Sequence, residues 1–460
     1  MLTLIIPSVL HAVCMFSLLM VCNQHFLLAV LGLAALFAVT FYIEWYNRTH
    51  YFYQTVVDDN GKTETKKASN FTALPLICVI DILFMPYVRE LSASFSMLLI
   101  VGWSIIHILQ FKDDIKIQTL VLFGAAAFLF QLIFFSSLIG VSEFIILGFS
   151  FLLLNYFKQY ASKISIKHIL FIYLAISFVF SLIYIVLPQT YFDIRAVFTM
   201  NGAKINFHSR NMNRFTFIFS DPNNAACAYV GILAYLVLFE KINKPTELVF
   251  TFVSAGICVV TTFSLTGALM LAALLVALLI IRYETKKTCL YVMGGLAAAV
   301  VVVVLGAWIF AGASILENEI IAAAIKRFSN QSVGTAGGRV SFWEKTINSA
   351  LEWYNIVIGK GAVIDGKGVE YLPHSGHLYL LISYGLPVNI VFYLTFFKVD
   401  KKNLWNTLVV LMPLFMAFTI NTGLGDYRFM TVMTLLIAYI QHHNNPKPEK
   451  RKCLYEQNIR

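Results

Sequence analysis

The chain has 460 residues, of which 59% are hydrophobic and 13% charged, and its formal net charge is +10. A soluble chain of this length would form about three domains, but so few charges exclude soluble globular and disordered classes alike. The composition instead fits an all-α, polytopic transmembrane helix bundle.

Apolar windows long enough to cross a bilayer, roughly 17 to 25 residues each, recur along almost the whole sequence. They fall at 3–22, 26–45, 71–88, 93–111, 117–137, 142–157, 168–188, 223–239, 248–263, 267–283, 289–312, 378–397, 404–420 and 428–441. Several are short, so about 12 to 14 crossings are expected. Nothing alternates like barrel strands, and backbone groups in hydrocarbon must be satisfied within their own segment, so the spans are expected as helices. The opening "MLTLIIPSVLHAVCMFSLLMVC" lacks a charged start and an A-x-A-like cleavage site, and reads as a retained first helix. Of the 7 cysteines, Cys14, Cys22, Cys78, Cys227, Cys258 and Cys289 lie in or at spans and Cys453 in the tail, with no disulfide or metal spacing. No long linker and no fixed-period repeat interrupts the pattern. Residues 1–460 read as one membrane domain with outer loops at 189–222 and 313–377 and a basic tail at 442–460.

The basic residues give the orientation. The segments "YNRTHYFYQTVVDDNGKTETKK", "KDDIK", "KQYASKISIK", "EKINK", "RYETKK", "KVDKK" and the tail hold 22 of the 34 Lys and Arg. By the positive-inside rule these segments and both termini are cytoplasmic. The positive balance is therefore a topology signal and gives no reason to expect a nucleic-acid partner. Most of the remaining cations lie in the two outer loops: Arg195, Lys204, Arg210 and Arg214 in the first, and Lys326, Arg327, Arg339, Lys345, Lys360 and Lys367 in the second. Two cationic loops on one face suggest an anionic ligand, with phosphate the natural candidate.

Within the first loop, "RNMNRFTFIFSDPNNAACAYVG" has the grammar of a helix start, with Asp221 as N-cap and Pro222 at the first helical position. A helix amino end offers free N–H groups and the positive end of a dipole. Arg214 and Arg210 beside it would complete a diphosphate site, because arginine near hydrocarbon is costly unless it is paired or hydrated.

These residues resemble the R-x-x-G-x-F-x-x-P-N pattern of the O-antigen ligase and O-antigen polymerase superfamily of bacterial glycan enzymes (WaaL/Wzy-like). Arg214, Phe219, Pro222 and Asn223 match; Phe217 stands where the family has glycine. In the second loop "GGRVSFWEKTINSALEWYNIVIGKG" resembles a G-G-R-x-x-x-W segment followed by G-x-G, with Gly338, Arg339, Trp343, Gly359 and Gly361 in place. "HSGHLYLLISYGLPVNI" resembles H-N-x-Y-L-x-x-L-x-x-x-G-L, with His374 at the family histidine, His377 at the aromatic position and His377 also the alternative histidine. A fourth segment, "TTFSLTGALM", fits S-x-S-R-G at Ser264 and Gly267 but carries Thr266 at the arginine, leaving Arg210 or Lys204 to supply that charge.

The resemblance implies transfer of a glycan from undecaprenyl diphosphate to an acceptor hydroxyl at the periplasmic face of the bacterial inner (cytoplasmic) membrane. Arg214 and Arg339 would bind the departing diphosphate bidentately. His374, with an unperturbed pKa of about 6.5, would accept or orient the hydroxyl proton. Arg210, Lys204, Asn223, His377 and Trp343 complete the expected donor and glycan contacts, with no metal or cofactor required by the scheme. The expected partners are undecaprenyl-diphosphate-linked oligosaccharides, the lipid bilayer and a chain-length regulator in the same membrane. The length, the extra spans and the departures at Phe217 and Thr266 favour a polymerase over a ligase acting on lipid A core. A transporter or flippase for a lipid-linked glycan is the alternative of a different class. Asp193, Asp365, Glu370 and Asp426 are unranked candidates for a carboxylate, and Asp81 is an intramembrane acid.

Overall fold

The computed structural model describes residues 52–57, 63–68, 79, 83, 141–161, 164–199, 214–281, 339–349, 353–359, 374–399, 403–421 and 426–444. The spans expected at 3–22, 26–45, 93–111, 117–137 and 289–312 lie outside them, as do Lys204, Arg210, Asp81 and the tail beyond 444. For Arg339 the description extends to the backbone alone.

The described chain is helical, apart from one hairpin. Strands β1 (Phe52–Val57) and β2 (Thr63–Ala68) pair antiparallel, from Phe52 opposite Ala68 to Val57 opposite Thr63. Thr, Val and Tyr favour a pleated surface, and the connecting "DDNGK" contains Asn60-Gly61, a strong hairpin-turn signal. Eleven helices follow among the described residues: α1 (Val141–Tyr160), α2 (Lys167–Val186), α3 (Pro188–Thr199), α4 (Pro222–Leu238), α5 (Pro245–Thr261), α6 (Leu265–Ile281), α7 (Arg339–Ser349), α8 (Trp353–Ile358), α9 (Gly376–Phe396), α10 (Leu404–Ile420) and α11 (Tyr427–Asn444). Each of α1, α2, α4, α5, α6, α9, α10 and α11 falls on an expected apolar window. Helices α3, α7 and α8 lie inside the two expected outer loops.

Helix α4 is the centre. It is apolar on every face, the pattern of a helix surrounded by others, and all of its residues from Pro222 to Leu238 are buried. Helices α2, α5, α6, α10 and α11 pack around it, and α11 packs in turn on α1. Small residues set the closest approach: a Cβ on Gly267 of α6 would lie 2.4 Å from Ala226 Cβ of α4. At the opposite end, the Lys167 Nζ to Glu247 Oε2 ion pair of 2.9 Å ties the start of α2 to the start of α5.

The outer faces of these helices are apolar too. Ile172 and Val179 of α2, Leu269 and Val276 of α6, Leu394 of α9 and Trp405 and Phe415 of α10 are all exposed, Leu394 at 71% and Trp405 at 69%. Among the described residues, Lys167–Val186 is a helix long and apolar enough to cross a membrane, and Gly376–Phe396 reaches that length only when both sides of its interruption at Gly385 are counted together.

Helix α9 is not a straight rod, which corrects the single crossing expected at 378–397. At Gly385 the backbone leaves the helical region (φ 76°, ψ 174°), and Pro387 follows. In an unbroken helix His377 and Tyr393 would be separated by about 24 Å of rise. Their side chains are nonetheless hydrogen-bonded, His377 Nδ1 to the Tyr393 hydroxyl, and their rings lie 5.9 Å apart. The break thus turns the chain into an elbow whose arms, about 14 and 17 Å long, are each roughly half the thickness of a hydrocarbon core. Glycine is obligatory at the corner for two reasons: its positive φ, and the backbone of α8, whose Val357 O and Ile358 C would each be 2.6 Å from a Cβ at 385.

Candidate functional site

Four helix amino ends meet at one end of the bundle, each closed by a side chain. Asp221 caps α4, its Oδ1 accepting from the N–H groups of Asn223 (2.7 Å) and Asn224 (3.3 Å). Ser264 caps α6 by accepting from Gly267 N–H at 3.1 Å. Ser375 caps α9, accepting from Leu378 N–H at 3.4 Å, and Asp426 caps α11, accepting from Phe429 N–H at 3.2 Å. The ends are cross-linked. Ser264 Oγ donates to Asn223 Oδ1 (2.8 Å), Asn224 Nδ2 donates to Asp426 Oδ2 (3.3 Å), Asn421 Nδ2 reaches Asn224 Oδ1 (3.5 Å), and Gly376 N–H donates to Asn421 O (2.8 Å). Each helix end carries roughly half a positive charge, which the capping carboxylates of Asp221 and Asp426 offset in part while Arg214 adds a full one.

The segment 214–221 crosses this convergence. Arg214 is buried, with Nε donating to Thr262 O at 2.6 Å and Nη2 to Asn223 Oδ1 at 3.3 Å, so it joins the start of α4 to the α5–α6 turn. Phe215 N–H donates to Thr261 O at 3.2 Å. The Tyr191 hydroxyl, from α3, accepts from both Thr216 N–H (3.1 Å) and Phe217 N–H (2.8 Å). One turn later on α3, Arg195 Nη2 donates to Phe219 O at 3.4 Å. From the other side Asp426 Oδ2 accepts from Ser220 N–H (3.1 Å) and Asp221 N–H (3.4 Å).

This arrangement corrects one expectation about α4. Its cap and proline are where the sequence placed them, but its leading N–H groups are not free for an anion. Asp221 and Asp426 between them take those of Ser220, Asp221, Asn223 and Asn224. Any anion here is therefore held by arginine side chains and helix dipoles, not by the N–H groups of this helix.

No family model matches the chain, and no curated protein matches it in sequence.

The expected site residues are distributed unevenly. Arg214 and Asn223 are in contact, and the Gly376–Asn421–Asn224 links bring the 374–378 segment to the same place. His374 is exposed and has a positive φ of 48° immediately before the α9 cap. His377 is half-buried, its Nδ1 bonded to Tyr393 and its Nε2 facing Phe415 O (3.1 Å) and Thr419 Oγ1 (3.2 Å). Both ring nitrogens of His377 are thus engaged, one within the elbow and one against α10, and the ring is half-buried, whereas His374 is exposed. Arg339 opens α7, which packs against α9. Trp343 on α7 is partly buried, its Nε1 enclosed without a hydrogen-bond partner. Among the described residues, no three His, Cys, Asp or Glu side chains converge where a metal ion could bind.

Several residues that matter here were not singled out by the sequence. Asp426 was one of four unranked acids, yet it is 3% exposed and receives four hydrogen bonds from three segments. Burial pushes its carboxyl above the ordinary carboxylate range, against the pull of the donors from Ser220, Phe429 and Asn224. Tyr191 is enclosed, and burial raises its hydroxyl pKa, keeping it neutral as an acceptor of two N–H groups. Arg428, which lies outside both cationic loops, is buried in the first turn of α11, two residues after Asp426. An acidic residue followed by an arginine just before an apolar run was the available signal for this pair.

Proposed function

We propose that the protein is a glycosyltransferase of the bacterial inner membrane that polymerises O-antigen or a related surface polysaccharide from undecaprenyl-diphosphate-linked donors. The observation that carries this reading is the convergence of four helix amino ends on Arg214 and Asn223, beside the 374–378 segment. Segments that are 160 residues apart in sequence, and that separately resemble the O-antigen ligase and polymerase superfamily, meet at one end of the bundle. The apolar exterior of α2, α6, α9 and α10 supports a lipid-embedded, multi-pass bundle, because exposed apolar surface of this extent suits hydrocarbon, not water. In this reading both termini are cytoplasmic, the described site faces the periplasm, and a chain-length regulator is the expected neighbour.

In the proposed reaction the acceptor hydroxyl of a new lipid-linked repeat unit attacks the anomeric carbon of the growing chain. The bond from that carbon to the diphosphate oxygen breaks, and undecaprenyl diphosphate leaves with the bonding pair. Arg214, with Arg339 from the second loop, stabilises the charge on the departing diphosphate. His374, which is exposed at the start of the 374–378 segment, takes the hydroxyl proton. Asn223 fixes the Arg214 guanidinium so that the fork need not reorganise as charge develops.

The test is deletion of the gene and complementation, read on a surface-glycan gel. Loss of the ladder with core plus one repeat remaining supports the polymerase; bare core with accumulated lipid-linked polymer supports transfer to lipid A core by a ligase. Arg214→Ala and Arg339→Ala are expected to abolish polymer while inserting normally, and wild-type chain lengths in both would remove the diphosphate role. The elbow at Gly385 favours one further reading, a transporter or flippase, because broken helices at half-depth often line such binding sites. That reading predicts lipid-linked repeat units trapped on the cytoplasmic face after deletion.

A further inference from the structure

We propose that Tyr191 is a positioning residue for Arg214: its hydroxyl holds Phe217 in a left-handed conformation and so fixes the segment that carries the arginine. The proposal rests on the reading of 214–224 as the donor diphosphate site.

Phe217 has a φ of 51°, a region that L residues avoid by roughly a factor of ten in population. The position is the one at which the resembling pattern carries glycine, which enters that region at no steric cost. Here something else must compensate, and two features do. The Tyr191 hydroxyl accepts from the N–H groups of both Thr216 and Phe217, a pairing open to it only while the two amides point to the same side. The Phe217 ring is buried against Phe180 (centroids 5.1 Å apart) and Tyr173 (5.8 Å).

The geometry transmits directly to the arginine. Arg214 lies two residues before Thr216, and between them Phe215 N–H is bonded to Thr261 O at the end of α5. The short stretch 214–217 is thus anchored to α5 on one side and to α3 on the other. Releasing the α3 anchor lets the peptide at 216–217 rotate, and the guanidinium loses its alignment between Thr262 O and Asn223 Oδ1. Tyr191 itself is 1% exposed, which leaves it no surface to offer a substrate, so its part is mechanical.

The experiment compares wild type, Tyr191→Phe, Phe217→Gly and the double variant as full-length protein in lipid nanodiscs. Two properties are read: amide hydrogen exchange over residues 215–219, and polymer formation in the complemented deletion strain. Tyr191→Phe is expected to speed exchange at Thr216 and Phe217 about tenfold or more, the worth of a buried hydrogen bond of ordinary strength, and to shorten or abolish polymer. Phe217→Gly is expected to lower activity in the wild-type background yet raise it in the Tyr191→Phe background, because glycine holds the conformation without the brace. Wild-type exchange in Tyr191→Phe, or an equal fold-loss from Phe217→Gly in both backgrounds, overturns the proposal. Should Tyr191→Phe fail to fold, the double variant is expected to be recovered folded, and its failure also overturns the proposal. If the wild-type protein makes no polymer, the functional reading falls while the exchange data still decide the brace.

Discussion

Phe217 and Gly385 both hold a positive φ, of 51° and 76°, and they do so by opposite means. At Gly385 the requirement is spatial: the α8 backbone lies where any side chain would begin, and the elbow of α9 depends on that contact. At Phe217 there is room for a large ring, and the requirement is only conformational, met by hydrogen bonds that the Thr216 and Phe217 N–H groups donate to the Tyr191 hydroxyl of α3. The same dihedral region thus tolerates substitution in one place and forbids it in the other. What surrounds the residue decides, not the dihedral angle itself.

The comparison can be broken most sharply at the elbow. Gly385→Ala is expected to cost about 3 to 5 kcal/mol, combining left-handed strain with a backbone overlap, and to lower the yield of folded protein in detergent; near-wild-type thermal stability would show that α8 does not close on α9. Next in size is Asp426→Ala, which leaves the N–H groups of Ser220, Asp221 and Phe429 and the Asn224 amide without an acceptor, a loss of about 3 kcal/mol or more. Asp426→Asn keeps an acceptor and tests pH. The wild-type carboxyl titrates above its ordinary value of about 3.9, so its stabilising contribution is full below that value and declines as pH rises through the raised folded-state pKa. Melting temperature should accordingly fall with rising pH in wild type and change less in Asp426→Asn; parallel curves would mean that the carboxyl is not held up by burial.

A smaller effect separates two truncations at the other left-handed residue. Phe217→Ala and Phe217→Gly both lose a buried ring, but the glycine variant should be the more stable by about 1 kcal/mol, the reverse of the usual order. Equal melting points would indicate that the loop relaxes out of the left-handed region once the ring is gone. Smallest is His374→Gly, at an exposed residue with φ 48°. Relief of left-handed strain, less the added unfolded-state freedom of glycine, is expected to raise stability by about 0.5 to 1 kcal/mol, and on the proposed function the same change abolishes polymer formation. Full activity in His374→Gly would transfer the proton-accepting role elsewhere.

Local chemistry explains which parts of this architecture were legible. Asp221 and Pro222 announce the start of α4 within four residues, because a cap and a first-turn proline act on their immediate neighbours. Among the described residues, the apolar windows mark the helices to within a few residues for the same reason. Arg214 and Asn223, which the structure brings into contact, stand nine residues apart in a pattern of fixed spacing. Asp426 was indistinguishable from three other acids, since its importance comes from bonds to residues about two hundred positions away. The elbow was hidden as well: "SYGLPVNI" is apolar enough to pass as the middle of a crossing, and only the neighbouring α8 makes Gly385 a corner.

The sequence by itself therefore determined composition class, the helical windows, the helix starts and the identity of the cations, all of which follow from short-range propensity and transfer free energy. The tertiary structure decided which amino ends meet, which carboxylates occupy the N–H groups of α4, where α9 turns, and that His377 is half-buried while His374 is exposed. Those depend on hydrogen bonds and close contacts between segments that no local rule pairs.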